Sequence, residues 1–129
     1  MKEQRITLTA AEWSIMECLW ERAPLLGREV TEQMQVRCGW SRSTTLTLLS
    51  RMEAKGTVAA AYDAGKKTFS PLVCREDAAL QEAENFLERV YKGSLSLMVS
   101  SLTRKQFLSR EEIEELYAIL RETEEKDNA

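Results

Sequence analysis

The chain has 129 residues, of which 43% are hydrophobic and 30% charged, and its formal net charge is -3. These values predict one or two small globular domains and exclude a disordered chain. Histidine is absent, and with it the commonest general base and the commonest zinc ligand. We therefore expect a protein that is not an enzyme and that has no cofactor and no metal site. No apolar run approaches the roughly 20 residues that span a bilayer, and residues 1–5 lead into no apolar segment, so we expect a cytoplasmic protein without a signal peptide.

Charge is distributed unevenly between the two halves of the chain. Residues 1–74 contain 10 Lys and Arg against 8 Asp and Glu, whereas residues 75–129 contain 8 against 13. The first half is mildly basic and the second half is acidic. This difference indicates that only the first half binds a polyanion. The cysteines Cys18, Cys38 and Cys74 are odd in number and far apart, which argues against disulfides and metal ligation and predicts buried single thiols.

Two helices are predicted before the hydroxyl-rich stretch in the middle of the first half. Thr9 and Glu12 have the spacing of a capping box, and dense apolar residues follow as far as Pro24, which stops the helix. Residues 25–26 fit either a very short strand or an extended link. A short second helix is predicted over residues 27–37, ahead of a glycine suited to ending it.

The hydroxyl-rich stretch begins at Ser41 and is predicted to be a helix over residues 41–55, closed by Gly56. At 100° per residue, one face carries Thr45, Leu48, Leu49 and Met52. The opposite face and its flanks carry Ser43, Thr44, Leu46, Thr47, Ser50, Arg51 and Ala54. The outer face has no carboxylate, as a helix entering a DNA groove requires, and the first acidic residue of the helix, Glu53, lies off that face. An ordinary amphipathic helix rich in Ser and Thr is the alternative interpretation.

After Gly56 the pattern changes to two short strands, residues 57–62 and 67–70, joined by a turn at residues 63–66. The order of three helices and a hairpin is that of a winged helix-turn-helix, in which the third helix enters the major groove. Lys66 and Lys67 at the hairpin tip would then meet phosphates, although a solvated turn is the commoner fate of such a pair.

The predicted DNA contacts combine this helix and hairpin. They are Ser41, Arg42, Ser43, Thr44, Leu46, Thr47, Ser50, Arg51, Lys66 and Lys67. We expect Arg51 to pair with guanine or grip a phosphate, and threonine methyls or Leu46 to touch thymine methyls. Ser41 and Arg42 would hold a phosphate at the helix N-terminus.

Residues 75–129 are predicted to form three short helices with wide apolar faces. Gly93 ends the first, Ser94 caps the second, and Ser109 caps the third, whose tail is expected to fray from Arg121. About 55 residues cannot easily bury such faces alone, which favours a homodimer over helices folded back on the winged domain. The predicted dimerisation residues are Leu80, Leu87, Val90, Tyr91, Leu95, Met98, Leu102, Ile113, Leu116 and Leu120.

Several motifs occur together along the chain and carry a resemblance. They are residues 8–20 (LTAAEWSIMECLW), 39–41 (GWS), Thr44, 47–52 (TLLSRM), 55–56 (KG), 69–73 (FSPLV), 91–94 (YKGS) and 108–116 (LSREEIEEL). With these motifs the chain resembles the penicillinase-repressor family of BlaI/MecI-type repressors, to which the CopY-type copper repressors also belong. The resemblance covers nearly the whole chain.

The expected architecture is mainly α with a small β-hairpin: a winged-helix DNA-binding domain at 1–74 and a helical dimerisation domain at 75–129. The resemblance implies a repressor that binds a palindromic operator in double-stranded DNA as a homodimer. In the resistance branch a membrane-bound metalloprotease sensor triggers cleavage, and the family's Asn-Phe scissile bond corresponds to Ser101-Leu102 here. The copper branch carries C-terminal Cys-x-Cys motifs, whereas the last cysteine here is Cys74.

Two other functions remain open on the sequence. One is a winged-helix protein-interaction module that does not bind DNA. The other is a regulator that responds to a small molecule or a metal, with a pocket between the two halves. The aromatic residues that would line this pocket are Trp13, Trp20, Trp40 and Phe69, although aromatic residues at these spacings more often belong to a core.

Overall fold

The computed structural model describes residues 7–127. In this part of the chain the helices are α1 (Ala10–Glu21), α2 (Gly27–Cys38), α3 (Arg42–Lys55), α4 (Arg75–Tyr91), α5 (Leu95–Arg104) and α6 (Arg110–Asp127). The strands are β1 (Leu25–Leu26), β2 (Val58–Asp63) and β3 (Lys66–Pro71). The predicted fold class, mainly α with a small hairpin in a winged helix-turn-helix, is confirmed.

The chain divides into two compact units, Met1–Ala83 and Glu84–Ala129. The boundary falls inside α4, so this helix contributes residues to both units. The assignment of DNA binding to residues 1–74 and dimerisation to residues 75–129 stays a prediction.

A three-stranded antiparallel sheet belongs to the first unit, in the order β1-β3-β2. Leu25 and Ala60 both pair with Phe69 of the central strand, so the two residues after Pro24 form a true strand. The predicted hairpin is present, and its loop is Ala64-Gly65, with φ of 52° and 79°. Positive φ at both central residues is typical of a type I′ turn, whose twist matches the twist of the flanking strands.

Local signals fix the ends of the first helices. Thr9 Oγ1 accepts a hydrogen bond from the backbone N–H of Glu12 at 3.1 Å, and Glu12 Oε1 accepts one from the N–H of Thr9 at 2.9 Å. This is the predicted capping box. Gly39 ends α2 in the left-handed region at φ 72°, where a side chain would be strained. The chain therefore turns sharply from α2 into α3.

The core of the first unit lies between α1, α2, α3 and the sheet. Its fully buried side chains include Ile15, Met16, Leu19, Val30, Met34, Leu49, Met52 and Val58. The three tryptophans Trp13, Trp20 and Trp40 are partly buried and pack against it. Because the inner face of α3 is held by this core, the direction of its outer face is fixed as well.

The second unit contains the end of α4, α5 and α6. Ser94 Oγ accepts a hydrogen bond from the N–H of Leu97, and Ser109 Oγ accepts one from the N–H of Glu112, each at 3.1 Å. The expected fraying from Arg121 is wrong, because α6 continues to Asp127; the Glu, Arg and Lys of these turns are good helix formers. Neither α5 nor α6 contains a buried side chain. Across residues 7–127, no helix combines the length and apolar composition that membrane crossing requires.

Candidate nucleic-acid interface

Ser41 caps the N-terminus of α3. Its Oγ accepts a hydrogen bond from the backbone N–H of Thr44 at 3.3 Å and donates one to Thr44 Oγ1 at 3.0 Å. The first turn of the helix contains no acidic residue. Because the first N–H groups of a helix lack intrahelical partners, this end carries partial positive charge, and here no carboxylate offsets it. The arrangement is suited to a phosphate oxygen.

The two faces of α3 are separated as the periodicity predicts. Thr45, Leu49 and Met52 are buried against the core. The outer face and its flanks expose Ser43, Thr44, Thr47, Ser50, Arg51 and Ala54. Arg42, Glu53 and Lys55 are also exposed, near the two ends of the helix. A shallow depression of about 330 Å³ on this side is lined by Ser43, Thr44, Thr47, Leu48 and Arg51. The structure therefore brings most of the predicted DNA contacts of α3 onto one accessible surface without a carboxylate.

Leu46 differs from the other predicted contacts on α3. Its side chain is partly buried and packs against the core. A Cβ added at Gly27 would lie 3.7 Å from Leu46 Cδ2 and 3.6 Å from Phe69 Cε2, which shows how closely α2, α3 and the sheet approach there. The structure therefore leaves Leu46 out of the accessible outer face, because a flank position turns inward when a neighbouring helix packs beside it.

The wing places its two lysines differently. Lys66 is exposed, pairs with Asp63 in the strand register, and makes no ion pair within the described part of the chain. Lys67 Nζ lies 3.0 Å from Glu53 Oε1 of α3 and 5.4 Å from the centroid of the Phe69 ring. The hydrogen bond to Glu53 raises the pKa of Lys67. An ion pair thus joins the wing to the C-terminal half of α3, a contact that the sequence analysis did not foresee.

A second ion pair joins the end of α3 to α1. Lys55 Nζ donates hydrogen bonds to Glu12 Oε1 at 2.8 Å and to the carbonyl oxygen of Thr7 at 2.9 Å. Burial raises the pKa of Glu12, but the hydrogen bonds from Lys55 and from the backbone of Thr9 outweigh it, so this pKa lies below its ordinary value. Glu12 is only 1% exposed, and its ionised carboxylate therefore holds α3 in place on α1.

Two of the aromatic residues considered for a ligand pocket make specific contacts within the first unit. Trp20 Nε1 donates a hydrogen bond to the carbonyl oxygen of Val73 at 2.8 Å. The Arg75 guanidinium lies 5.9 Å from the rings of both Trp13 and Trp20 and pairs with Glu17 at 2.9 Å. These contacts fasten the segment after β3 to α1, the structural role that the sequence analysis considered more common for such residues.

The residues predicted for dimerisation lie on α4, α5 and α6 with different exposure. Leu80, Val90, Leu95, Ile113, Leu116 and Leu120 are exposed, and Leu87, Tyr91, Met98 and Leu102 are partly buried. Leu80 belongs to the first compact unit and the others to the second. Phe107 and Ile119 add exposed apolar area, at 71% and 57%, and the sequence analysis did not single them out.

The cysteines only partly match the expectation of buried thiols. Cys18 is buried, and this burial raises the pKa of its thiol. Cys38 and Cys74 are free and exposed, so the prediction is wrong for both. Cys38 ends α2 and Cys74 lies between β3 and α4, and such connections run over the surface. Among the described residues, no three Cys, Asp or Glu side chains come together as metal ligands.

The family model described as penicillinase repressor matches residues 8–122. The methicillin resistance regulatory protein MecI of Mammaliicoccus sciuri is 31% identical over 120 residues, which are 93% of this chain and 98% of MecI. The penicillinase repressor of Bacillus licheniformis is 30% identical over 115 residues, 89% of this chain and 90% of that protein.

Two solved structures have a similar fold. The solution structure of the DNA-binding domain of the repressor BlaI gives a TM-score of 0.52 at 21% identity, covering 59% of this chain and 93% of that domain. The structure of monomeric Bacillus licheniformis BlaI in complex with the blaP half-operator gives a TM-score of 0.52 at 22% identity, covering 57% of this chain and 90% of that one.

Proposed function

This chain belongs to the penicillinase repressor family, and from that membership we propose that it is a non-enzymatic transcriptional repressor that binds a palindromic operator as a homodimer. The observation that carries the proposal is the outer face of α3. It exposes short hydroxyl side chains and Arg51, and no carboxylate interrupts it between Arg42 and Arg51. Such a repressor acts in the cytoplasm of a bacterium, where the operator lies.

Base reading is proposed for the middle of α3. The major groove of B-DNA is about 12 Å wide and admits an α-helix whose outward side chains are short enough for close approach. Thr44 and Thr47 offer both a hydroxyl and a methyl group, and Ser43 and Ser50 offer hydroxyls. Arg51 is a long exposed side chain on this part of the helix, and its guanidinium can make two hydrogen bonds to guanine O6 and N7.

Phosphate contacts are proposed at the N-terminus of α3 and on the wing. Ser41 and Arg42 lie at the N-terminus of α3, where uncompensated backbone N–H groups and an arginine favour an anion. The other proposed phosphate contact is Lys66, which is exposed on the wing. Contacts of this kind position a protein on the duplex without reading its sequence. Lys67 was predicted to be a further contact, but its ammonium is engaged by Glu53.

Dimerisation is proposed for the C-terminal helices. No side chain of α5 or α6 is buried, and residues such as Leu95, Leu116 and Leu120 are exposed. A second copy of the same surface is the simplest cover, because a twofold interface buries the same patch on both partners. Two copies of α3 would then read half-sites about one helical turn apart, or a multiple of it.

A mobility shift with Arg51→Ala tests the reading surface. We expect this variant to lose about 1–3 kcal/mol of affinity for the operator, the usual value for a base contact, and less for random duplex. Arg110→Ala is the matched control, since Arg110 is an exposed arginine on α6, and its operator affinity should stay unchanged. Equal operator affinity of Arg51→Ala and the wild type would show that α3 does not read bases through Arg51.

The dimer is tested by sedimentation of the double variant Leu87→Asp/Leu116→Asp. Carboxylates placed in an apolar interface are costly to bury, so we expect a monomer at micromolar concentration. Operator binding should weaken strongly, because the second half-site no longer contributes. Glu124→Gln, a change on an exposed residue of α6, serves as control and should remain dimeric. A wild-type chain that sediments as a monomer at micromolar concentration would refute the dimer.

Release by proteolysis is proposed at the bond between Ser101 and Leu102, by analogy with the family. Both residues lie in α5, and Ser101 Oγ donates a hydrogen bond to the carbonyl oxygen of Leu97 at 3.0 Å. A membrane-bound sensor protease would be the partner. Mass spectrometry of the induced protein should find a fragment ending at Ser101, and induction with an intact chain would exclude this route.

A further inference from the structure

Glu53 is the only acidic residue of α3 and lies two residues after Arg51. Its side chain is 39% exposed, at the edge of the surface proposed to bind DNA. A carboxylate in such a place would repel the phosphate backbone unless its charge were balanced. The balance comes from Lys67, whose ammonium lies 3.0 Å from Glu53 Oε1.

Several contacts hold Lys67 toward the protein. Its Nζ is hydrogen-bonded to Glu53 and lies 5.4 Å from the centroid of the Phe69 ring, which belongs to the core. In the hairpin register Lys67 faces Tyr62 across the strands. The neighbouring Lys66 points away from this set, since successive residues of a strand face opposite sides. One lysine of the pair is therefore engaged and the other is exposed.

We propose that Glu53 is a specificity-determining residue of the DNA-binding surface. Its carboxylate binds the Lys67 ammonium, so Lys67 does not contact a phosphate and instead positions the wing against α3. The proposal rests on the proposed DNA binding. The wing then contacts the backbone through Lys66 alone. Lys67 fixes the distance between the wing and α3. Lys66 can therefore contact a phosphate only where the DNA backbone lies at the matching distance from α3 bound in the major groove.

The salt dependence of binding distinguishes these roles. Each phosphate contact by a cation changes the slope of log K against log salt by about 0.9 on B-DNA. Lys66 should contribute one such increment. Lys67 should contribute none while Glu53 is present, and one when Glu53 is neutral. A lysine with only a stabilising role would leave the slope unchanged in both cases.

The experiment measures this slope for the full chain, on the operator and on a random duplex of equal length. The variants are Lys66→Met, Lys67→Met, Lys67→Arg, Glu53→Gln, and Glu53→Gln combined with Lys67→Met. Lys126→Met on α6 is the matched control for the loss of a lysine. Urea unfolding followed by tryptophan fluorescence shows that each variant is folded under the binding conditions.

We expect Lys66→Met to lower the slope by about one unit and Lys126→Met to leave it unchanged. Lys67→Met should leave the slope unchanged but lower the ratio of operator to random binding, and Lys67→Arg should restore that ratio. In the Glu53→Gln background, Lys67→Met should lower the slope by about one unit. This difference between the two backgrounds is the signature of the proposal.

Two results would overturn the proposal while leaving the proposed function intact. One is an equal fall in slope for Lys67→Met in both backgrounds, because Lys67 would then contact a phosphate despite Glu53. The other is no change in slope or in binding ratio for Lys67→Met in either background. A wild-type chain that binds no duplex at any salt concentration in the series would instead refute the proposed function, and this inference with it.

Discussion

The pair of Glu12 and Lys55 offers a quantitative test of how α3 is held in place. Removing one partner of a buried ion pair costs about 3–5 kcal/mol, because the other charge is left without compensation. The Lys55 side chain is 37% exposed, so solvent screens part of the interaction. For Lys55→Met, which strands the buried carboxylate, we therefore expect a loss of about 2–3 kcal/mol in the free energy of unfolding.

Glu12→Gln should cost less than Lys55→Met. Glutamine retains an oxygen that can accept hydrogen bonds from the N–H of Thr9 and from Lys55, so the capping box survives. Lys55 is left with a weaker partner but can extend into solvent. We expect the free energy of unfolding to fall by about 1–2 kcal/mol, because the ion pair becomes a weaker hydrogen bond between the Lys55 ammonium and a neutral amide oxygen.

The effect of Glu12 depends on pH in a defined direction. The pKa of Glu12 is lowered in the folded chain from its ordinary value of 4.5. Its contribution to stability is therefore fully present above pH 4.5 and is lost as pH falls through the lower folded pKa. The difference in unfolding free energy between the wild type and Glu12→Gln should shrink on acidification below this value.

Urea unfolding followed by tryptophan fluorescence measures these differences, at neutral pH and at increasingly acidic pH. The three tryptophans lie in the first compact unit, so the signal reports the unit that contains the pair. Glu21→Gln is the matched control, because Glu21 pairs with Arg37 at the surface and its loss should have a far smaller effect. This account would be refuted if Lys55→Met lowered the free energy of unfolding less than Glu12→Gln does. It would also be refuted if the difference in unfolding free energy between the wild type and Glu12→Gln stayed the same in acid.

Three further predictions concern the stability of the helix-turn-helix, and urea unfolding checks each of them. Leu49→Ala should lower the free energy of unfolding by about 2–5 kcal/mol because Leu49 is buried in the core. Thr47→Ala on the exposed face should change it by less than about 0.5 kcal/mol and weaken operator binding. Similar stability losses for the two variants would contradict the assigned faces. Ser41→Ala should cost about 1 kcal/mol by removing the cap of α3, and an unchanged midpoint would exclude that role. Gly39→Ala should cost about 1–2 kcal/mol from its positive φ alone, because an added Cβ would meet no atom of another part of the described chain within 4 Å. A stabilised variant would contradict this conformation.

Features encoded by neighbouring residues were predicted well. The capping box at Thr9, the caps at Ser94 and Ser109, and the turn before the third helix each depend on residues within a few positions of one another. The faces of α3 followed from helical periodicity, and the hairpin followed from its turn residues. Local sequence determines such features directly, so they can be predicted from a single chain.

Features that depend on distant residues were not predicted. The Glu12–Lys55 and Glu53–Lys67 pairs join residues 43 and 14 positions apart, and their formation depends on how the helices and the wing pack. Leu46 was predicted to contact DNA from a flank of the helix, because periodicity alone cannot show that Phe69 and the start of α2 lie beside it. Local sequence patterns therefore identify the surface but not the contacts that hold it in position.

The central claim is that two copies of α3 read the two halves of a palindromic operator. Selection of bound duplexes from a random pool by the full-length chain tests this claim most directly. We expect the selected sequences to share an inverted repeat whose half-sites lie about one helical turn apart, or a multiple of it. Selected duplexes without a common inverted repeat would contradict the claim.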